Sequence, residues 1–307
     1  MHPLKGIALK LCSVVLFVAM ASLIKATSKA VPPGEAVFFR SAFAMPVILG
    51  WLAARGDLGT GLRVNSVSGH AWRAVLGTMA MGLMFAGLGL LPLPEVTALG
   101  YTTPLMVVVF AALFLGEDVG LFRLGTVSLG MVGVLIVLAP RLTALGGGAV
   151  QMAEAAGALV VLMGATCRAM AQIQVRKLVQ SEQTSAIVFF FSLGSALLSL
   201  LSLPFGWVMP DPASVVMLVL AGVLGGLAQI FLTTAYRFGD ASVIAPFDYA
   251  SMLFALEIGY VIFDEAPTAQ MLAGTALIVT AGIVIILREH RLGLRRERAR
   301  QAKSPLE

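Results

Sequence analysis

Four ionisable side chains fall inside otherwise apolar runs: Arg40, Arg168, Asp248 and Glu257. An unpaired arginine or aspartate at the centre of a membrane helix costs about 2.5–3.5 kcal/mol on insertion scales. Such groups persist where they pair, bind a solute or relay a proton. Two further apolar runs each hold a proline beside a tyrosine: Gly100-Tyr101-Thr102-Thr103-Pro104 and Ala245-Pro246-Phe247-Asp248-Tyr249. Proline in a helix interior frees a backbone carbonyl, which must find another partner. Each run closes on an acidic turn, Gly116-Glu117-Asp118 or Asp264-Glu265, and a Gly-studded apolar run follows. Corresponding interruptions in two halves of a chain point to a solute site near the middle of a bilayer.

The bilayer itself is implied by composition. Of 307 residues, 59% are hydrophobic and 12% charged, and the mean hydropathy is +0.94. Soluble domains carry about 25% charged residues, so this chain cannot cover a water-facing surface. The three histidines (His2, His70, His290) lie at or beyond span ends, which argues against a buried imidazole metal site. Cys12 and Cys167 sit in apolar segments as packing residues, with no disulfide framework implied. Lys5 and Lys10 precede an apolar run containing Ala19-Met20-Ala21, a passable leader pattern, but the run continues to Ala26 and is expected to be an uncleaved first span.

At about 20 apolar residues per span, ten helices are expected: 7–26, 34–53, 71–91, 95–115, 121–139, 154–176, 184–203, 213–236, 241–263 and 267–287. With the N-terminus in the cytoplasm, 16 of the 21 lysines and arginines, Lys10 and Arg73 among them, fall on the inner side. Only Lys25, Lys29 and Arg141 fall outside. That bias places both termini in the cytoplasm. The tail 289–307 is basic and suits a positive-inside anchor.

Phe38-Phe39-Arg40-Ser41 in span two resembles Phe190-Phe191-Ser192 in span seven, and the run from Glu95 to Leu138 parallels that from Asp240 to Leu287. Five spans is an odd number, so a second copy must enter the membrane upside down. The expected architecture is all-α and integral to the membrane, with ten transmembrane helices as two inverted five-helix repeats at 1–140 and 153–288.

The rise of about 1.5 Å per residue places the charges by depth. Arg40 falls in the outer third with Glu257 at a similar level. Arg168 falls just inside the midplane, facing Asp248 in the inner third. The expectation is two opposite-charge couples in one cavity, with Tyr101, Thr102 and Thr103 near the outer couple and Gln172, Gln229 and Tyr249 near the inner. A structural clamp between helices is the competing reading. Lys25, Glu35 and Glu95 are expected to snorkel to headgroups, and Glu265 to serve as a turn or capping group.

No Gly-x-x-x-x-Gly-Lys-Ser/Thr loop, no His-Glu-x-x-His and no histidine beside a nucleophile in a span occur. Nucleotide-driven pumping and intramembrane hydrolysis therefore lack their residues. No enzyme activity, cofactor or nucleic-acid partner is expected.

The arginine of Phe39-Arg40-Ser41, Pro104 followed by Leu115-Gly116-Glu117, and the run Phe263-Asp264-Glu265-Ala266-Pro267 with Gly274 and Gly282 carry a likeness. On these the chain resembles the EamA-type members of the drug/metabolite transporter superfamily. The resemblance implies a cavity lined by spans one to four and six to nine, with five and ten peripheral. It also implies secondary transport of a small metabolite across the bacterial cytoplasmic membrane by a monomer or homodimer. The opening Met1 to Lys10 and the Val31-Pro32-Pro33-Gly34-Glu35-Ala36 turn resemble the riboflavin importer branch. Relatives that export amino acids or import S-adenosylmethionine supply the alternatives. Charges that cancel in pairs suit neutral riboflavin, a cation would favour an unpaired Asp248 or Glu257, and an anion would favour a free Arg40 or Arg168.

Overall fold

Long apolar stretches with few charges can satisfy their backbone in lipid only as helices, and helices are what form. The computed structural model describes residues 3–115, 121–143, 149–178, 181–238 and 245–303. In chain order these are α1 (Pro3–Thr27), α2 (Pro33–Ala54), α3 (Val67–Leu90), α4 (Leu93–Gly100), α5 (Thr102–Leu115), α6 (Leu121–Thr143), α7 (Ala149–Leu178) and α8 (Thr184–Ser199). A 3-10 turn (Leu200–Phe205) leads to α9 (Pro212–Phe238). A second 3-10 turn (Ala245–Ala250) leads to α10 (Ser251–Phe263) and then α11 (Ala269–Lys303). Gly116-Glu117-Asp118, the connection at 144–148 and the approach to Ala245 lie outside the described residues.

Among the described residues, nine stretches are long and apolar enough to cross a bilayer. The tenth expected span is the 3-10 turn with α10, which run on without a gap. Large apolar side chains such as Leu201, Leu253 and Val261 are mostly exposed. A helix apolar on its outward face as well as its inward one belongs in lipid. This is a multi-pass membrane protein.

The fourth and ninth spans are the interrupted ones. Pro104 falls in the first turn of α5, where its missing N–H is tolerated and leaves the carbonyl of Gly100 without that donor. The helix restarts around Tyr101. Pro246 falls in the 3-10 turn that precedes α10. At its other end α10 stops at Asp264, whose φ of 56° is left-handed, a conformation a short polar side chain tolerates. That reversal aims Glu265 back into the bundle.

Packing partners come in matched sets. α1 packs on α9 as α3 packs on α7, α2 packs on α9 as α3 packs on α8, and α2 meets α8. α6 packs along α11, where a Cβ on Gly133 would meet the Gly274 carbonyl at 2.7 Å and the reverse holds at the same distance. Two backbones approach that closely only where both residues lack a side chain.

Candidate functional site

The two interruptions meet. The rings of Tyr101 and Tyr249 pack edge to face with centroids 4.9 Å apart. The Ser251 hydroxyl donates to the Asp248 carbonyl at 2.7 Å, so the Tyr101 hydroxyl is the donor in its 2.5 Å contact with Ser251 Oγ. The Tyr249 carbonyl lies 3.3 Å from the same phenol. Ser251 thus satisfies a backbone carbonyl where the second helix is irregular, and Tyr101 in turn holds Ser251. Tyr249 is buried with no partner for its hydroxyl among the described residues, and the hydroxyl lies against Gly282 of α11. Thr103 donates to the Ala165 carbonyl of α7 at 3.4 Å, and the Thr102 hydroxyl is buried without a partner among the described residues.

Asp248 pairs with Lys10 of α1 at 2.6 Å, the lysine buried and the carboxylate half-exposed. Arg168 of α7 lies near Asp248, although among the described residues the two form no direct ion pair. The arginine sits deep in the bundle and still presents open surface, and Gln172 one turn on and Asp248 are exposed too. A group that is deep and open at once faces an internal opening. Tyr101, Thr103, Arg168, Asp248 and Tyr249 therefore share one locus. The tyrosine and threonines expected nearer the outer couple belong with the inner one. Gln229 lies one turn along α9 from Gly225, the residue against Arg40.

The expected outer couple does not form. Glu257 is exposed on α10, which packs on α4 and α1, whereas α2 carries Arg40 against α8 and α9. Arg40 is 5% exposed. Its guanidinium stands 5.8 Å from the centre of the Phe191 ring, with Nε and Nη1 unpartnered among the described residues. Arg73, expected as an inner-surface anchor, lies 3.9 Å from the same ring.

Several charges expected at lipid headgroups are instead spent inside. Lys25 pairs with Glu265 at 2.7 Å and donates to the Leu91 carbonyl at 2.8 Å. The second Glu265 oxygen accepts from the Leu93 amide at the start of α4 at 2.8 Å. Arg141 binds Glu95 at 2.8 Å and also Glu154. Glu35 is buried in the first turn of α2 and accepts the Val208 amide at 3.1 Å. At the opposite ends of these helices, Glu182 accepts the Asn65 and Ser66 amides at 2.8 and 2.6 Å, with His70 at 3.6 Å. Burial raises the Glu182 carboxyl, but the two amides and the imidazole outweigh it, so the group titrates below the ordinary carboxylate range.

None of these partners was legible in the linear pattern, because position relative to a span end says nothing about what a neighbouring helix brings. The one signal was the acidic turn after each interrupted span. A separate recess of about 250 Å³ lies between α1, α2 and α3, lined by Ile24, Ser28, Val31, Pro33 and Phe85. It carries no ionisable group and lies apart from the tyrosine seam.

A bundle of membrane-length helices, two of them interrupted and touching at their breaks, with charges facing an internal opening, is the build of a solute transporter. The chain belongs to the EamA-like transporter family, which it matches over residues 4–139 and again over 155–288. It is 30% identical over 270 residues to a riboflavin transporter of Rhizobium johnstonii, covering 88% of this chain and 84% of that one. It is also 30% identical over 284 residues to a pseudopaline exporter of Pseudomonas aeruginosa, covering 91% and 95%. A Rickettsia bellii S-adenosylmethionine uptake transporter is 26% identical over 255 residues, covering 83% and 84%. A solved crystal structure aligns with a TM-score of 0.64 at 22% identity over 91% of this chain and 96% of that one, which supports the fold.

Proposed function

We propose that this chain is a secondary transporter of the bacterial cytoplasmic membrane that carries a small metabolite by alternating access. The observation that carries the reading is the seam at which Tyr101, Tyr249 and Ser251 join the two interrupted helices. Arg168, Gln172 and Asp248 line the solute path beside it, with Asp248 paired to Lys10.

The halves are inverted five-span repeats, 1–140 and 153–288, with both termini and the basic tail in the cytoplasm. Matched packing supports this, as does the exchange relation between two latches. Glu35 at the start of the second span holds the loop before the eighth, and Glu182 at the start of the seventh holds the loop before the third. Two successive family matches along the chain support it further.

Riboflavin uptake is the substrate reading supported by the resemblance and by the Rhizobium relative. Its test is expression in a riboflavin auxotroph that lacks its own importer, with growth on low riboflavin as the readout. Rescue is expected. No rescue, alongside chain-dependent movement of another labelled metabolite, overturns the substrate and spares the transport mechanism. A second reading, an anionic metabolite, is favoured by Arg40 standing without the Glu257 partner that charge cancellation required.

A further inference from the structure

We propose that Arg40 and Arg73 form a clasp for an oxyanion group, a carboxylate or phosphate, on the transported solute. The inference rests on the transport reading and narrows its substrate to an anion. Both guanidiniums face the Phe191 ring, at 5.8 and 3.9 Å from its centre. They are close enough to each other to repel. Nε and Nη1 of both are buried and have no hydrogen-bond partner among the described residues.

Three other cations drawn into the bundle have carboxylates: Lys10 has Asp248, Lys25 has Glu265, and Arg141 has Glu95 and Glu154, while Arg168 lies near Asp248 without a direct pair among the described residues. Among the described residues, no carboxylate hydrogen-bonds to Nε or Nη1 of Arg40 or Arg73. A single aromatic face attracts a cation only within about 6 Å and modestly, so Phe191 cannot compensate two charges. It can hold the two planes in place while their N–H forks stay free.

A guanidinium offers parallel donors that match the two oxygens of a carboxylate or phosphate. Two of them from neighbouring helices, already desolvated, lack only the anion. Glycines make room for the guanidiniums themselves: a Cβ on Gly77 would meet Arg73 Nη1 at 2.0 Å, and one on Gly225 would meet Arg40 Nε at 3.2 Å. The clasp draws on α2 and α3 of one half and on α8 and α9 of the other, so binding there reports on how the halves are packed.

The test uses right-side-out and inverted membrane vesicles from cells producing the full chain, and from cells without it. The probe is the soluble metabolite extract of the same cells supplemented with riboflavin, and mass spectrometry identifies what accumulates. The expected solutes carry a carboxylate or a phosphate, and their spectra distinguish the two. Arg40→Gln and Arg73→Gln should each lower initial accumulation at low solute concentration by about thirtyfold, as when one partner of a buried charge pair is truncated. Arg40→Lys and Arg73→Lys should recover part of it.

Accumulation of neutral or cationic solutes alone, riboflavin included, overturns the clasp and leaves the transport reading standing. Anion accumulation unchanged in both Gln variants at matched protein levels does the same. The selectivity of the unmutated chain decides the matter even where a Gln variant fails to fold. If no solute accumulates in a chain-dependent way in either orientation, the transport reading falls, and the clasp with it.

Discussion

Gly282→Ala should loosen the seam between the interrupted helices, and Tyr249→Phe should partly repair it. A Cβ on Gly282 would fall 1.7 Å from the Tyr249 hydroxyl and 2.7 Å from the ring carbon that bears it. The phenol cannot yield freely, because its ring is wedged against Tyr101, 4.9 Å away. Overpacking of a filled site costs about 1–3 kcal/mol, and replacing a helical glycine with alanine recovers about 1 kcal/mol. Contact with a wedged ring puts the clash at the upper end, for a net loss of about 2 kcal/mol. That corresponds to a fall of about 5 °C in apparent Tm for the detergent-solubilised chain. Tyr249→Phe alone should be neutral or stabilising by about 1 kcal/mol, since it removes a buried hydroxyl that has no partner. In the double variant the hydroxyl clash is gone and only the milder ring contact remains, so the two changes should couple by about 1 kcal/mol. Initial uptake should follow the same order, as a displaced Tyr249 disturbs the path beside Asp248. A Gly282→Ala protein as stable as the parent would refute the reasoning. So would a defect carried undiminished into the double variant.

Glu265→Gln should lower stability by about 3 kcal/mol, because it leaves Lys25 without its carboxylate in a mostly buried site, and pairing Lys25→Met with Glu265→Leu should lower it less. Thermal unfolding of the three variants checks this. Glu182 titrates below its ordinary range in the folded chain, so the stability it contributes is present above about pH 4 and is lost as pH falls through the depressed value. Glu182→Gln should therefore flatten the acid limb of a stability–pH profile while leaving the rest of its shape. Tyr101→Phe should lower apparent Tm by the equivalent of about 1 kcal/mol through loss of the Ser251 contact, read in the same unfolding assay. Reporter fusions at residue 1 and residue 307 should both report the cytoplasmic face, and opposite faces would break the inverted-repeat reading.

The sequence by itself determined that the chain lives in a bilayer, where its spans lie, and which two of them are interrupted. Those properties follow from local chemistry: apolar run length, proline at a fixed offset, and the scarcity of charge. The lipid solvent makes that chemistry decisive, since any backbone it surrounds must close its own hydrogen bonds. Most spans drawn from composition alone fall within a few residues of the helices, the last helix instead running on through the basic tail to Lys303, and Tyr101 and Tyr249 both stand at breaks.

Only the tertiary structure decided who partners whom. Rise per residue puts Arg40 and Glu257 at one expected depth, but they sit on helices that face different neighbours, whereas Lys10, which looks like a surface anchor, reaches Asp248. Lys25 and Glu265 are 240 positions apart and meet because a left-handed Asp264 turns the chain inward. Rise per residue fixes height along a helix and leaves its azimuth open. Azimuth is set by glycine-lined crossings between helices distant in sequence, so which charges pair and which stand free is a property of the packed bundle.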